Sequence, residues 1–273
     1  MALLWLLVLV VLLLAALITL NRSPRLRQRA FAVLWTFIAP RAARSLRPLK
    51  RELIAAHVRA GDVVLDLGAG LGDSISEYSR NLDDLKLILV EPNVNMHDGL
   101  LAAARRAGYE TALVAPAPEA GLVPRLRLLS CGAEALPLPD ACVDVAWMCL
   151  VLCSVPDAVA ALREIQRVLK PGGKALFIEH VAATTASSGN GLYLLQRALT
   201  VSGVWPAVAD GCKLDQETGA IVKNMTGWAE VALRHIEVPA NPVVARSHVV
   251  GYAVRSAAAA VSRAQAGKSE AAR

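Results

Sequence analysis

The sequence predicts an α/β protein built on one doubly wound, seven-stranded, mostly parallel sheet, with an apolar helix ahead of it. Three observations carry the prediction. An apolar run enters a glycine turn at Val64-Leu65-Asp66-Leu67-Gly68-Ala69-Gly70-Leu71-Gly72-Asp73. Short apolar runs then alternate with helical segments through most of the 273 residues, and Ala2 to Leu20 holds no charge and only Thr19 as a polar member.

As a helix, Ala2 to Leu20 would be about 29 Å long, close to the thickness of a bilayer core. No basic residue precedes it and it is longer than the apolar part of a usual signal peptide, so an anchor is favoured over a cleaved leader. Arg22, Arg25, Arg27 and Arg29 follow, then Arg41, Arg44, Arg47, Lys50 and Arg51. By the positive-inside rule this leaves the rest of the chain in the cytosol. Phe31 to Ala39 is a second apolar run, too short to span and flanked by arginines, which suits an interfacial segment or a helix packed on the domain. Four parts are expected: an anchor over 1–21, a basic juxtamembrane segment over 22–49, a catalytic domain over 50–255 and a disordered tail over 256–273.

Strands are expected at Val63–Leu67, Leu87–Val90, Leu126–Leu129, Val143–Met148, Ala175–Glu179, Val231–Val238 and Val249–Val254. Asn95–Ala107 reads as a helix ending near Gly108. Asp157–Leu169 reads as a helix capped by Asp157 and stopped by Lys170-Pro171-Gly172-Gly173. Residues 112–124, rich in Ala and Pro, read as a loop insertion. Only a short turn at Pro239-Ala240-Asn241-Pro242 separates the last two strands, so they should pair antiparallel at one edge.

Glycines in close succession after a strand let the backbone turn sharply against a nucleotide-like ligand. A dinucleotide fingerprint needs G-x-G-x-x-G facing a pyrophosphate, whereas here the glycines read G-x-G-x-G and Asp73 stands where the third fingerprint glycine would. Together with Asp66, two residues before Gly68, this points to S-adenosylmethionine. Glu91 ends the next strand about 20 residues on, where a carboxylate can accept both ribose hydroxyls. In open α/β sheets ligands lie beyond the carboxyl ends of the strands. The cofactor-binding candidates are therefore Asp66, Gly68, Ala69, Gly70, Gly72, Glu91, Pro92, Ala133, Glu134, Cys149 and Leu150, with Ala133 and Glu134 toward the adenine.

The net charge of +6 is concentrated beside the apolar helix, where anionic lipid would meet it, and aromatics are only 4% of residues. A nucleic-acid partner is not expected. Five cysteines, Cys131, Cys142, Cys149, Cys153 and Cys212, form no C-x-x-C pair, so reduced thiols and no metal are expected.

At Leu150-Val151-Leu152-Cys153-Ser154-Val155, Arg167-Val168-Leu169-Lys170-Pro171-Gly172-Gly173 and Glu179-His180-Val181-Ala182-Ala183 the chain closely resembles the methyltransferase-like protein 7 family, the membrane-associated thiol S-methyltransferases. The likeness extends to Asp210-Gly211-Cys212 and to His248-Val249-Val250-Gly251-Tyr252-Ala253-Val254. The resemblance implies the class I methyltransferase fold and methyl transfer from S-adenosylmethionine to small lipophilic alkyl thiols or hydrogen sulfide. It also implies residence at the endoplasmic-reticulum membrane or on lipid droplets. The 112–124 insertion, the tail and the segment after Cys212 depart from the family pattern.

A thiol attacks as thiolate and gains from a nearby base. His180, just past the fifth strand, is the candidate base, with Asp210 orienting it or lining the acceptor site and Cys212 touching the substrate. His235 and His248, on the end strands, are expected to lie away from the switch point, as structural or surface residues. Leu192 to Leu199, with Trp205, would cap the acceptor. One alternative is C- or O-methylation of a quinone or other lipophilic acceptor. Another is an inactive lipid-droplet interaction protein, which the intact Asp66, glycines and Glu91 oppose.

Overall fold

The computed structural model describes residues 1–78, 84–109 and 125–257. The expected insertion and nearly all of the expected tail lie outside them.

Helix α1 (Ala2–Arg22) is apolar throughout, and most of its side chains are exposed. Among the described residues it is the helix long and apolar enough to cross a membrane, with a mean hydropathy of 2.8 over Leu4–Arg22. Ser23 then caps α2 (Pro24–His57), its hydroxyl accepting from the Leu26 N–H, and Pro24 occupies the first turn, where no N–H is needed. Phe31 to Ala39 is thus part of one 34-residue helix rather than a separate segment. Pro40 and Pro48 lie on its exposed side, while Ala32, Ala39, Leu46, Lys50, Leu53 and Ile54 form the buried stripe.

The sheet holds β1 (Val63–Leu67), β2 (Lys86–Val90), β3 (Leu126–Leu129), β4 (Val143–Cys149), β5 (Leu169–His180), β6 (Trp228–Glu237) and β7 (Ser247–Arg255). Their order is β3-β2-β1-β4-β5-β7-β6; the first five are parallel and β7 runs antiparallel to both neighbours. This is the expected doubly wound sheet with an antiparallel end. β5 starts earlier than its apolar run suggests. The ladder with β4 jumps from Leu169 to Lys174, with Gly172 at φ +77° in the bulge and Gly173 where a Cβ would meet the Lys170 carbonyl oxygen at 2.8 Å.

Short helices α3 (Ile75–Tyr78), α4 (His97–Arg106), α5 (Ala158–Val168), α6 (Thr185–Val201), α7 (Val204–Val208) and α8 (Thr218–Asn224) complete the chain. The Asp157 carboxylate accepts from the Val159 and Ala160 N–H groups and starts α5, as its sequence implies. Apolar residues of α2, α4 and one sheet face form one core; α5, α8 and the other face form the second. The switch point between β1 and β4 lies under α2.

Candidate active site

The glycine turn is built as its composition requires. Gly68, Gly70 and Gly72 all have positive φ (61°, 56° and 83°), which L side chains rarely adopt. A Cβ on Gly68 would stand 2.6 Å from Val151 Cγ2, and one on Gly72 would stand 2.7 Å from Ala103 of α4. The Glu91 carboxylate fixes the turn, one oxygen accepting from the Gly70 N–H and the other from the Asn93 N–H, each at 2.8 Å. Burial raises the pKa of Glu91 and these two bonds oppose the rise. Each oxygen keeps a lone pair for a further donor.

Asp66, Gly68, Ala69, Gly70, Cys149 and Leu150 line one cavity at the ends of β1 and β4. Gly72 packs against α4, Glu91 stands behind the turn and Pro92 is exposed. Ala133 is buried, and Glu134 Oε1 accepts from the Asp157 N–H at 3.3 Å, at the start of α5. A larger cleft between α5 and α8, lined by Val159, Gln166 and Met225, lies away from the strand ends and gathers no comparable chemistry.

The cavity's other wall comes from α2: Trp35, Ala42, Ala43, Leu46 and Lys50. Trp35 Nε1 lies 3.6 Å from where a Gly70 Cβ would be. Lys50, which the sequence suggests as part of the membrane-facing charge, is instead buried, its ammonium donating to Ser74 Oγ at 3.1 Å. Burial raises the pKa of Asp66 to about 7, against the pull of Lys50 and of the Tyr78 hydroxyl, which donates to it at 3.3 Å. Arg47 and Arg51 pair with Glu77 at 3.2 and 2.8 Å, so part of the basic flank holds α2 on the domain. Arg22, Arg25, Arg29, Arg41 and Arg44 remain exposed.

Leu150 carries a φ of +62°, an unusual conformation for a bulky residue. The buried Glu179 carboxylate enforces it, accepting from the Val151 and Leu152 N–H groups at 3.0 Å. Burial pushes Glu179 well above the usual carboxylate range.

His180, at the end of β5, is buried outside the glycine cavity and stands with Cys153 and Cys212, their ligand atoms all within 4.8 Å of one another. The adjoining Cys153 thiol lowers the pKa of Cys212 against its burial, helped by Trp205 and Ser154, and Cys153 rises correspondingly. His248 faces His180 edge-on with ring centres 5.8 Å apart, because β7 inserts next to β5. His248 thus lies away from the β1–β4 switch point, as expected, and is buried beside His180. Asp210, at φ +46°, pairs with Arg27 of α2 at 3.2 Å. It is thus engaged by the helix that covers the glycine turn.

Residues 65–177 match the family model described as a methyltransferase domain. The thiol S-methyltransferase TMT1A of Homo sapiens is 31% identical over 195 residues, 70% of each chain. TMT1B of Rattus norvegicus is 31% identical over 233 residues, 82% of this chain and 86% of that one. The chain belongs to the thiol S-methyltransferase family. The ubiquinone/menaquinone biosynthesis C-methyltransferase UbiE of Xylella fastidiosa (strain M23) is 38% identical, over 139 residues and half of each chain. A solved SAM-dependent methyltransferase of Methanosarcina mazei shares the fold at 18% identity and a TM-score of 0.53, covering 75% of this chain and 97% of that one.

As a class I methyltransferase, this member of the thiol S-methyltransferase family takes its methyl group from S-adenosylmethionine. The residues present fit that donor: a turn with no Cβ at Gly68, Gly70 and Gly72, a carboxylate behind it with spare lone pairs, and a buried carboxylate and ammonium, Asp66 and Lys50, lining the cavity. Sequence reasoning missed Lys50, Trp35 and Glu179. A lysine on an otherwise apolar helical stripe, at the spacing of Leu46 and Leu53, was the available signal for Lys50.

Proposed function

We propose that the chain S-methylates small lipophilic thiols or hydrogen sulfide at a membrane surface. The observation that carries this is the extent of likeness. The thiol S-methyltransferase relatives match over 70% and 82% of this chain, whereas the quinone C-methyltransferase relative matches over 50% of it.

Bound S-adenosylmethionine supplies a methyl group on a sulfonium, so the protein has only to hold donor and acceptor in line in a dry pocket. In this reading Asp66 takes the donor's ammonium and Lys50 its carboxylate. Gly68, Ala69, Gly70 and Gly72 admit its backbone-hugging part, Glu91 accepts from the ribose hydroxyls and Pro92 borders them. Ala133 and Glu134 flank the adenine, while Cys149 and Leu150 close the floor under the methyl. His180 holds the acceptor in its thiolate form. Asp210, through Arg27, positions the turn that carries Cys212 beside it.

Membrane delivery is supported by the exposed apolar surface of α1 and by exposed Leu194, Leu195, Val201, Val204 and Val208 on α6 and α7. Asn21, at the end of α1, donates to the Gly203 carbonyl at 3.2 Å, which sets α7 beside the base of the anchor. We read residues 1–21 as the anchor and the exposed arginines as its lipid-facing flank. The catalytic domain, 50–255, then lies in the cytosol at the endoplasmic reticulum or a lipid droplet.

The test is labelled-methyl transfer from S-adenosylmethionine to a panel of alkyl thiols, sulfide and a quinol, with full-length detergent-solubilised protein and Asp66→Ala as control. Thiol methylation lost in Asp66→Ala is the expected result. Transfer to the quinol alone would replace the acceptor with that of the quinone enzymes, and donor binding without any transfer would end the reading.

A further inference from the structure

We propose that Cys153, His180 and Cys212 form a zinc site whose fourth position takes the acceptor sulfur. The three ligand atoms, two sulfurs and an imidazole nitrogen, lie within 4.8 Å of one another. A tetrahedral zinc with bonds of about 2.3 Å to sulfur and about 2.0 Å to nitrogen needs its ligands roughly 3.5 Å apart, so the three side chains would close in by up to about 1 Å on binding it. Two thiolates with an imidazole suit zinc over hard cations such as magnesium or calcium. Three protein ligands leave one position open, the arrangement of catalytic rather than structural zinc.

His180 gives the second, independent observation. It is 4% exposed, and among the described residues its ring nitrogens make no hydrogen bond of good geometry, the Cys153 thiol being the polar group that interacts with the ring. Buried polar atoms rarely stay unpaired, and a metal bond satisfies one of these two. The other lies toward the ring of His248, to which it makes no hydrogen bond in this structure. His248 Nδ1 sits 2.7 Å from the Arg246 carbonyl oxygen and so carries the proton, leaving Nε2 a buried lone pair without a partner on the neighbouring ring. Metal-bound histidines habitually donate their second N–H to such a group.

The site is also rigid. Cys153 follows the loop that Glu179 clamps, and the Lys213 N–H donates to the Cys153 carbonyl at 2.8 Å, tying the Cys212 turn to it. Just past β5, the Ala182 N–H donates to the Gln216 carbonyl at 3.0 Å. Val151, two residues before Cys153, packs on Gly68, so the cluster adjoins the donor cavity.

The fourth-ligand role rests on the thiol reading above; the metal site does not. The acceptor R–SH gives its proton to water as its sulfur binds zinc. A sulfur lone pair then forms the new S–C bond to the methyl group while the donor's sulfonium S–CH3 bond breaks. The products are a methyl thioether and S-adenosylhomocysteine, with zinc unchanged in oxidation state.

The test uses full-length reduced protein in detergent, loaded with cobalt(II) in place of zinc. One cobalt per chain is expected, with thiolate-to-cobalt charge transfer and tetrahedral ligand-field bands that shift when an alkyl thiol is added. Cys153→Ser and Cys212→Ser should each weaken zinc binding by at least about 100-fold. Their melting temperatures and S-adenosylmethionine binding report whether they fold, and the wild-type spectrum needs no variant. Absence of the bands, bands retained in a folded Cys212→Ser protein, or bands indifferent to thiol would each overturn the proposal. So would a Cys153–Cys212 disulfide that forms in place of metal binding, or undiminished thiol methylation by chelator-treated protein, which would leave the methyltransferase reading intact. A thiol-dependent shift without methyl transfer supports the site and defeats that reading instead.

Discussion

The donor side of the sheet, from β1 to β4, and the proposed acceptor side, from the end of β5 to the Cys212 turn, are built in different ways. On the donor side the working groups are neighbours along the chain: Asp66 and the three glycines fall within seven residues, and Glu91 reaches back to the Gly70 N–H. On the proposed acceptor side Cys153, His180 and Cys212 come from three segments, the first two brought together by the pairing of β4 with β5 and the third by the Lys213 N–H to Cys153 carbonyl bond. A donor shared by many enzymes can be held by a short local device. An acceptor that varies is met by surfaces assembled from distant segments, here with α2 joining both halves through Lys50 and Arg27.

The largest effect should come from breaking the local device. Gly68→Ala places a Cβ 2.6 Å from Val151 at a φ of +61°, so the turn and the loop after β4 cannot both keep their positions. Donor binding by calorimetry should weaken by at least about 100-fold, roughly 2.7 kcal/mol, with the far-ultraviolet dichroism retained. Unchanged donor affinity alongside lost thiol turnover would mean that the two halves are not separable in this way.

Lys50→Met should follow, acting on stability. It leaves buried Asp66 and part-buried Asp73 without the ammonium that now draws both pKa values down, and Ser74 without its donor. Loss of a buried charged hydrogen-bond donor costs about 1–3 kcal/mol, readable as a lower urea midpoint with an unchanged slope. A loss under about 1 kcal/mol would return Lys50 to the membrane-facing flank.

These two variants also mark how far the sequence was legible. β1 and β3 have the bounds their apolar runs imply, and the α5 cap falls on Asp157, because those signals are local. β5 begins at Leu169 because Gly172 and Gly173 let the ladder bulge and resume where a stop was expected. α2 passes unbroken through two prolines because both face outward, so the composition change near residue 49 marks no break in the helix. The burial of Lys50 depends on where α2 crosses the sheet, and the Cys153–His180–Cys212 cluster follows no C-x-x-C spacing. Neither could be read without the tertiary arrangement.

Asp66→Asn sharpens the comparison through pH. With a folded pKa near 7 and an ordinary unfolded value, native Asp66 keeps a proton that the unfolded chain has lost between about pH 4 and pH 7. Stability should therefore fall as pH rises across that window and level off above it, and Asp66→Asn should flatten the fall, which amounts to a few kcal/mol. Donor affinity should move the opposite way, rising as Asp66 ionises, because its carboxylate meets the donor's ammonium. Parallel trends in the two measurements would remove Asp66 from that contact.

The smallest effect belongs to the link between α2 and the acceptor turn. Asp210 accepts from Arg27 Nε at 3.2 Å with both side chains about one-fifth exposed, so solvent screens the pair only in part. Asp210→Asn keeps the size of the side chain and removes its charge, at a cost of about 1 kcal/mol. Asp210 sits two residues before Cys212 and also bonds the Asn93 side chain beside Glu91, so that loss should appear mainly as a thiol KM raised about fivefold, with a smaller loss of donor affinity. Donor affinity should stay within about twofold, and Arg27→Gln should reproduce the pattern without adding to it, since both remove the same contact. If both variants weakened donor binding instead, α2 would be serving the glycine turn alone, and the acceptor side would owe its arrangement to β5 and β7.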